Sequence, residues 1–167
     1  QTCALPIFFH IPHGLANALM ISHVILYNAT DAPFKQATFS QYKYPNVKWR
    51  YARIAHSLGL GGETETESVE RLVLAIECLK REIGIPASIK EVIPESEAEF
   101  MAKLDHLAEQ AFDDQCTGAN PRYPLIEDLK TLLIQAYHGN LPLEVAVNGH
   151  AEVSLADLKL DPQPLSL

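Results

Sequence analysis

The sequence predicts an all-α fold, a helical bundle, and three observations carry that prediction. Apolar residues recur at helical spacing in four separate stretches between residues 46 and 139. Two of these open on a hydroxyl residue three positions ahead of a glutamate, Thr64 with Glu67 and Ser96 with Glu99. That spacing lets the pair satisfy two otherwise orphaned backbone N–H groups at a helix start. Glycines then stand where helices should stop, at Gly59, Gly84 and Gly139, since only a residue at ease with positive φ closes a helix cheaply.

In chain order, the stretch from Gly14 to Asn28 is apolar nearly all round (Leu15, Leu19, Met20, Ile21, Val24, Ile25, Leu26). A helix of that kind belongs in the middle of a larger assembly. Thr30 or Asp31 can cap a short second helix through Phe34 and Ala37, with Pro33 tolerated in its first turn. Asn46 can cap a third, with Tyr51, Ile54, Ala55 and Leu58 on one face and Gly59 closing it. "GLGGETE" then reads as a flexible joint. The fourth helix starts at Thr64, carries the stripe Val69, Leu72, Val73, Ile76, Leu79 and Ile83, and has Glu67–Arg71 and Glu77–Arg81 as surface pairs. Ser96 opens the fifth, with Phe100, Leu104, Leu107 and Ala111 inward. Pro124 opens the last, through Leu125, Leu129, Leu132, Leu133 and Ala136. Beyond it, "EVAVNGHAEV" places Asn148-Gly149 between alternating runs, a hairpin signal. With "DPQPLSL" behind it, residues 140–167 are expected to be an exposed, irregular or hairpin-like tail.

Composition narrows the function classes. A chain of 167 residues fits one domain. Its net charge of −8, with 13 Lys and Arg, argues against nucleic acid or an anionic membrane as partner, because either needs a basic face. Cys3, Cys78 and Cys116 make neither an even framework nor a CxxC, which favours a reduced, cytoplasmic setting. The greasiest stretch, Leu15 to Tyr27, is interrupted by Asn17, Ser22 and His23 and is shorter than the roughly 20 residues of a bilayer span. No secretory leader pattern is visible. The opening residues 1–7, "QTCALPI", are what CAG-ACG-TGT-GCT-CTT-CCG-ATC encodes, a common sequencing-library adapter read in frame. On that reading Cys3 has no biological meaning, and the chain is a fragment of a longer gene beginning near Phe8.

Two stretches could carry chemistry. His10 and His13 bracket Ile11-Pro12 at the threshold of the apolar helix. Imidazole suits divalent first-row metals, yet a site needs three or four donors, so spacing alone leaves metal, acid–base and plain turn roles open. A zinc site of Cys3, His10 and His13 is a further possibility, and it fails if residues 1–7 are adapter. His23, deep in the apolar helix, reads as a hydrogen-bonded core histidine. The second stretch, "AFDDQCTGANPRYPL", joins two helices and presents Cys116 and Thr117 in a polar loop, of the sort that often lines clefts. The alternative is a structural turn in which Asn120 bonds its own backbone. No Lys or His adjoins Cys116, so a thiolate nucleophile is not indicated. GxGxxG, Walker, HExxH, GxSxG and zinc-cysteine patterns do not occur.

Taken together, "FHIPHGLANALMISHVILYNA", "KQATFSQY", "IGIPASIKE" and "AEQAFDDQCTGANPRYPL" resemble the C-terminal part of the iron-dependent alcohol dehydrogenases. Within that family the likeness is to the alcohol dehydrogenase half of the bifunctional aldehyde–alcohol dehydrogenases, and it runs colinearly over residues 8–139. The resemblance implies an all-α C-terminal domain facing an N-terminal nucleotide-binding domain, with Fe(II) held between them by an Asp and three His. His13, in the HG motif, matches the last of those ligands, whereas His10 matches none. Cys116, Thr117 and Gly118 match the loop beside the substrate cavity. The implied activity is hydride exchange between NAD and a small alcohol or aldehyde, acetaldehyde and ethanol in the bifunctional group, in a homo-oligomer or filament. The nucleotide-binding motif and the other three ligands have no counterpart in this chain, so this piece alone is expected to be inactive and to bind neither Fe(II) nor NAD tightly. A free-standing α-helical interaction module is the alternative from another class.

Overall fold

A computed structural model describes residues 4–31 and 47–143. Among them every regular element is helical: α1 (Ala4–Phe9), α2 (His13–Asn28), α3 (Val47–Ser57), α4 (Glu65–Glu82), α5 (Glu97–Asp113) and α6 (Ile126–His138), with 3₁₀ turns at Ile89–Glu91 and Thr117–Ala119. The all-α expectation stands. The short helix expected through Phe34 and Ala37, the Asn46 cap, Cys3 and the Asn148-Gly149 hairpin lie outside the described residues.

The central helix is α2, as its apolar circumference required. It packs against α4 and α3 on one side and against α6 and α1 on the other, while α5 closes over α1 and α6. The main core joins Leu5, Phe9, Ile11, Leu19 and Met20 to Phe100, Leu104 and Leu107 of α5 and Leu132, Leu133 and Tyr137 of α6. Through it runs an aromatic stack, with Phe9 to Phe100 at 5.5 Å and Phe100 to Tyr137 at 4.4 Å between ring centroids. A smaller cluster of Ile25, Ala29, Val69 and Val73 ties α2 to α4.

Helix α1 was not expected. "QTCALPI" reads as foreign coding sequence, yet Ala4–Phe9 forms a helix and Leu5 is fully buried against the main core. An apolar segment beside an unfilled core face gains from burial whatever its coding origin.

Capping behaved largely as expected. Ser96 and Glu99 form the reciprocal box, with Ser96 N–H donating to Glu99 Oε2 (2.8 Å) and Glu99 N–H to Ser96 Oγ (3.4 Å). At α4 the box is skewed by one residue. Glu67 N–H donates to Thr64 Oγ1 (3.1 Å), but the Glu67 carboxylate takes the N–H of Glu63 (2.8 Å) instead of that of Thr64. Gly59, Gly84 and Gly139 all have positive φ at helix ends.

Helical stripes were longer in the sequence than in the fold. In α3 the buried residues are Ala52 and Ala55, whereas Ile54 and Leu58 are exposed. In α4 Leu79 and Ile83 are exposed too. Between α2 and α4 lies a polar device. Ser22 Oγ donates to Glu77 Oε1 (2.5 Å), and buried Lys80 donates to both oxygens of Glu77 (2.7 and 3.0 Å). The expected Glu77–Arg81 pair gives way to Glu77–Lys80, while Glu67–Arg71 forms as expected at 2.6 Å. No described helix is long and apolar enough to cross a membrane.

Candidate active site

Helix α2 presents His13 on its first turn. The chain reaches it round a corner made by His10, Ile11 and Pro12. His10 adopts φ 54°, the left-handed conformation that ends α1, while Ile11 is buried and Pro12 precedes the first helical residue of α2. The two histidines therefore have different work: His10 stops one helix and His13 starts the next. His13 is exposed and has no hydrogen bond or ion pair among the described residues. Asn17 and Ile21, one and two turns on, continue the same exposed face, so α2 is covered on all sides but this one.

Beside that face lies an apolar groove of about 580 Å³, with Asn17, Met20, Ile21 and Val24 on one wall and Cys116 and Asn120 on the other. The structure thus brings Cys116 to the face that carries His13. It separates the other two loop residues from the groove. Thr117 is buried and its hydroxyl donates to the carbonyl of Ala111 (2.5 Å), which tacks the loop to the end of α5. Gly118 has open space where a side chain would stand.

Asn120 does bond its own backbone, Nδ2 to the carbonyl of Arg122 (2.5 Å), as a turn residue should. It also forms a reciprocal amide pair with Asn28 of α2, at 2.8 and 3.2 Å. Arg122 Nη1 donates to the carbonyl of Tyr27 (2.9 Å), and its guanidinium lies 3.9 Å from the centre of the Tyr27 ring. Tyr27 in turn donates its hydroxyl to Asp128 (3.0 Å), and burial together with the Asp128 carboxylate raises the phenol's pKa against the opposing pull of Arg122. Sequence reading missed this cluster. The available signal was Asn28 itself, an amide at the end of an otherwise apolar helix.

His23 is buried as expected, but not satisfied as expected. Its Nδ1 has no hydrogen-bond partner among the described residues. Burial, reinforced by the Lys80 ammonium and only partly opposed by Glu77, pushes its pKa down to about 4. It borders a cavity of about 410 Å³ that it shares with Tyr27, Lys48, Glu70, Arg122 and Asp128. His23 is not among the residues lining the groove beside His13.

No group of three or more His, Cys, Asp or Glu among the described residues could hold a metal ion. His13 fits one place in a ligand set: its exposed imidazole is of the right donor type for a divalent first-row metal and nothing among the described residues competes for it. The other donors would have to be supplied across the open face of α2.

Comparison with known proteins shows the family. Residues 2–137 match the family model described as Fe-containing alcohol dehydrogenase family, C-terminal. The chain is 56% identical over 133 residues to the bifunctional aldehyde-alcohol dehydrogenase of Escherichia coli K12, covering 78% of this chain and 15% of that protein. It is 50% identical over 130 residues to the aldehyde-alcohol dehydrogenase of Clostridium acetobutylicum (77% and 15%) and 36% identical over 130 residues to aldehyde-alcohol dehydrogenase 2 of Entamoeba histolytica (78% and 15%). The matched part is thus a small share of each relative's length.

Proposed function

We propose, for a chain that belongs to the Fe-containing alcohol dehydrogenase family, that this segment supplies one metal ligand and one substrate wall to an NAD-linked alcohol dehydrogenase. The observation that carries the reading is the uncovered face of α2, where His13 is exposed and a groove walled by Cys116 and Asn120 lies alongside. In the whole enzyme that face would meet the nucleotide-binding domain, with His13 as one imidazole ligand of the metal. Fe(II), when bound, supplies a Lewis acid that polarises an alcohol or carbonyl oxygen.

The residues of this chain do the rest of the local work. Pro12 and left-handed His10 fix where the first turn of α2 begins, and hence where the His13 ring is presented. Met20, Ile21 and Val24 offer an apolar wall to the hydrocarbon end of a short alcohol and keep water from it. Cys116 contributes a surface to that wall, with no catalytic step assigned to its thiol. Membership of this family supports the reading over that of an interaction module.

The test is iron per subunit and NADH formation from ethanol, in the longer polypeptide that carries this segment. His13→Ala should lose both, and His23→Leu should keep both while changing stability. The 167-residue chain alone should hold metal weakly and show no turnover. Full iron content and activity in His13→Ala would overturn the assignment.

A further inference from the structure

The polar cluster at the far end of α2 sits well away from His13, yet it ends on the groove. Asn28 is buried, with its amide committed to Asn120 in both directions. Asn120 is itself part of the groove wall. The same loop is held once more to that turn of α2, through Arg122 to the carbonyl and ring of Tyr27, while the Tyr27 hydroxyl ties the turn to Asp128 of α6, whose carboxylate also takes the N–H of Leu125 (2.9 Å). At its other end the loop is held to α5 by the Thr117 hydroxyl on the carbonyl of Ala111, next to a local turn in which the N–H of Cys116 donates to Asp114 Oδ1 (2.8 Å). Cys116 to Pro121 is therefore a short bridge between two anchorages, and only the anchorage on α2 can set its distance from the helix that forms the opposite wall.

A helix C-terminus has carbonyls without partners, and capping by a neighbouring residue would have sufficed here. The Tyr27 carbonyl, already reached by the N–H of Thr30 (3.4 Å), also accepts from an arginine of the loop, and a buried asparagine is matched by another asparagine 92 residues away. Neither amide belongs to the apolar clusters that hold the helices together. A polar pair with one buried member specifies one relative position, since any slip leaves the Asn28 amide without partners in the interior.

We propose that Asn28 and Arg122 are positioning residues for the substrate side of the site: together they fix the Cys116–Pro121 bridge over α2 and so set the width of the groove. The inference rests on the reading of this groove as the place of the alcohol. It adds that the groove's width is controlled from the end of α2 opposite His13. Substrate fit and metal binding are then separable properties of one helix, governed from its two ends.

The experiment compares Asn28→Ala, Arg122→Gln and Arg122→Lys with His13→Ala. In the 167-residue chain, hydrogen exchange at the amides of residues 116–120 should quicken about tenfold in Asn28→Ala, while those of α5 and α6 keep their protection. In the whole enzyme, KM for ethanol should rise about tenfold in Asn28→Ala and Arg122→Gln, with kcat and iron content within about twofold of the unaltered enzyme. Arg122→Lys, which can still donate to the Tyr27 carbonyl, should recover part of the loss. Unchanged exchange in the loop, or unchanged KM beside a lower melting temperature, would overturn the proposal and leave the cluster a simple staple. So would loss of iron in step with KM. Failure of the underlying site reading shows separately, as iron and activity retained in His13→Ala.

Discussion

Acidifying the chain through the range where His23 should titrate ought to cost about 3 kcal/mol of folding stability, and replacing that one residue should abolish the cost. The folded value of about 4 lies below the ordinary 6.5. Between those limits the unfolded chain takes up a proton that the folded chain refuses. Stability from the neutral ring is fully present above pH 6.5, is lost progressively as pH falls, and is gone below about pH 4. At roughly 1.4 kcal/mol per pH unit the whole interval corresponds to about 3 kcal/mol, a large part of the ~5–15 kcal/mol that holds a typical domain. The environment explains the direction. A ring that is 3% exposed would have to be ionised beside Lys80, with Glu77 already engaged by Lys80 and Ser22, while Glu70, Lys48, Arg122 and Asp128 share the neighbouring cavity.

The assay is urea unfolding, followed by helical circular dichroism, of the chain and of His23→Leu between pH 7.5 and 4.5. Glu67 and Glu99, whose carboxyls are held below their usual range by backbone and side-chain hydrogen bonds, lose their contribution at low pH in both proteins and cancel in the difference. The stability gap should move by about 2.5 kcal/mol in favour of the leucine variant by pH 4.5. Parallel curves would refute the reasoning, since they would mean that His23 charges as readily inside the fold as outside it.

Leu5→Ala should destabilise by about 2–5 kcal/mol in the same assay, because a fully buried leucine leaves a cavity in the main core; a change below ~0.5 kcal/mol would mean that α1 is not docked. Gly62→Ala should cost at least ~2 kcal/mol, because φ is 128° and a Cβ there would stand 2.7 Å from the backbone N of Ser68; an alanine variant melting with the parent would contradict it. In peptide-level maleimide labelling, exposed Cys116 should react readily. Buried Cys78, its thiol pushed up by burial, should stay protected until the chain unfolds, and equal labelling of both would speak against the described packing.

How much of this was legible in the sequence depended on how local the cause was. Ser96 with Glu99, and the three closing glycines, act within one turn of chain, and the sequence placed those boundaries well. Stripe length was another matter. Ile54, Leu58, Leu79 and Ile83 continue a helical pattern but stay exposed, and periodicity says which side a residue is on without saying where the partner ends. Glu77 illustrates the same limit: spacing offered Arg81, while a lysine buried against α2 took the carboxylate. At the candidate site, only family resemblance singled out His13 as a proposed ligand, because one exposed imidazole leaves no periodic trace. Thr117, expected beside the substrate, is turned inward by a hydrogen bond to Ala111 that no spacing rule foretells. The pairing of Asn28 with Asn120 spans most of the chain and was legible only as an amide out of place.

The Phe9–Phe100–Tyr137 stack has a consequence for the order in which the molecule takes shape. A polypeptide grows from its N-terminus, so α1 and the opening turn of α2 emerge before α5 and α6. Their aromatic and aliphatic counterparts on α5 and α6 follow much later in the chain, and closing so long a loop is slow compared with forming the helices themselves. During synthesis the His13 turn therefore waits beside an unfinished core, exposing Leu5 and Phe9. A nascent chain halted before Tyr137 should be recognisable by protease cleavage near Phe9, at a bond that completion of α6 then shields.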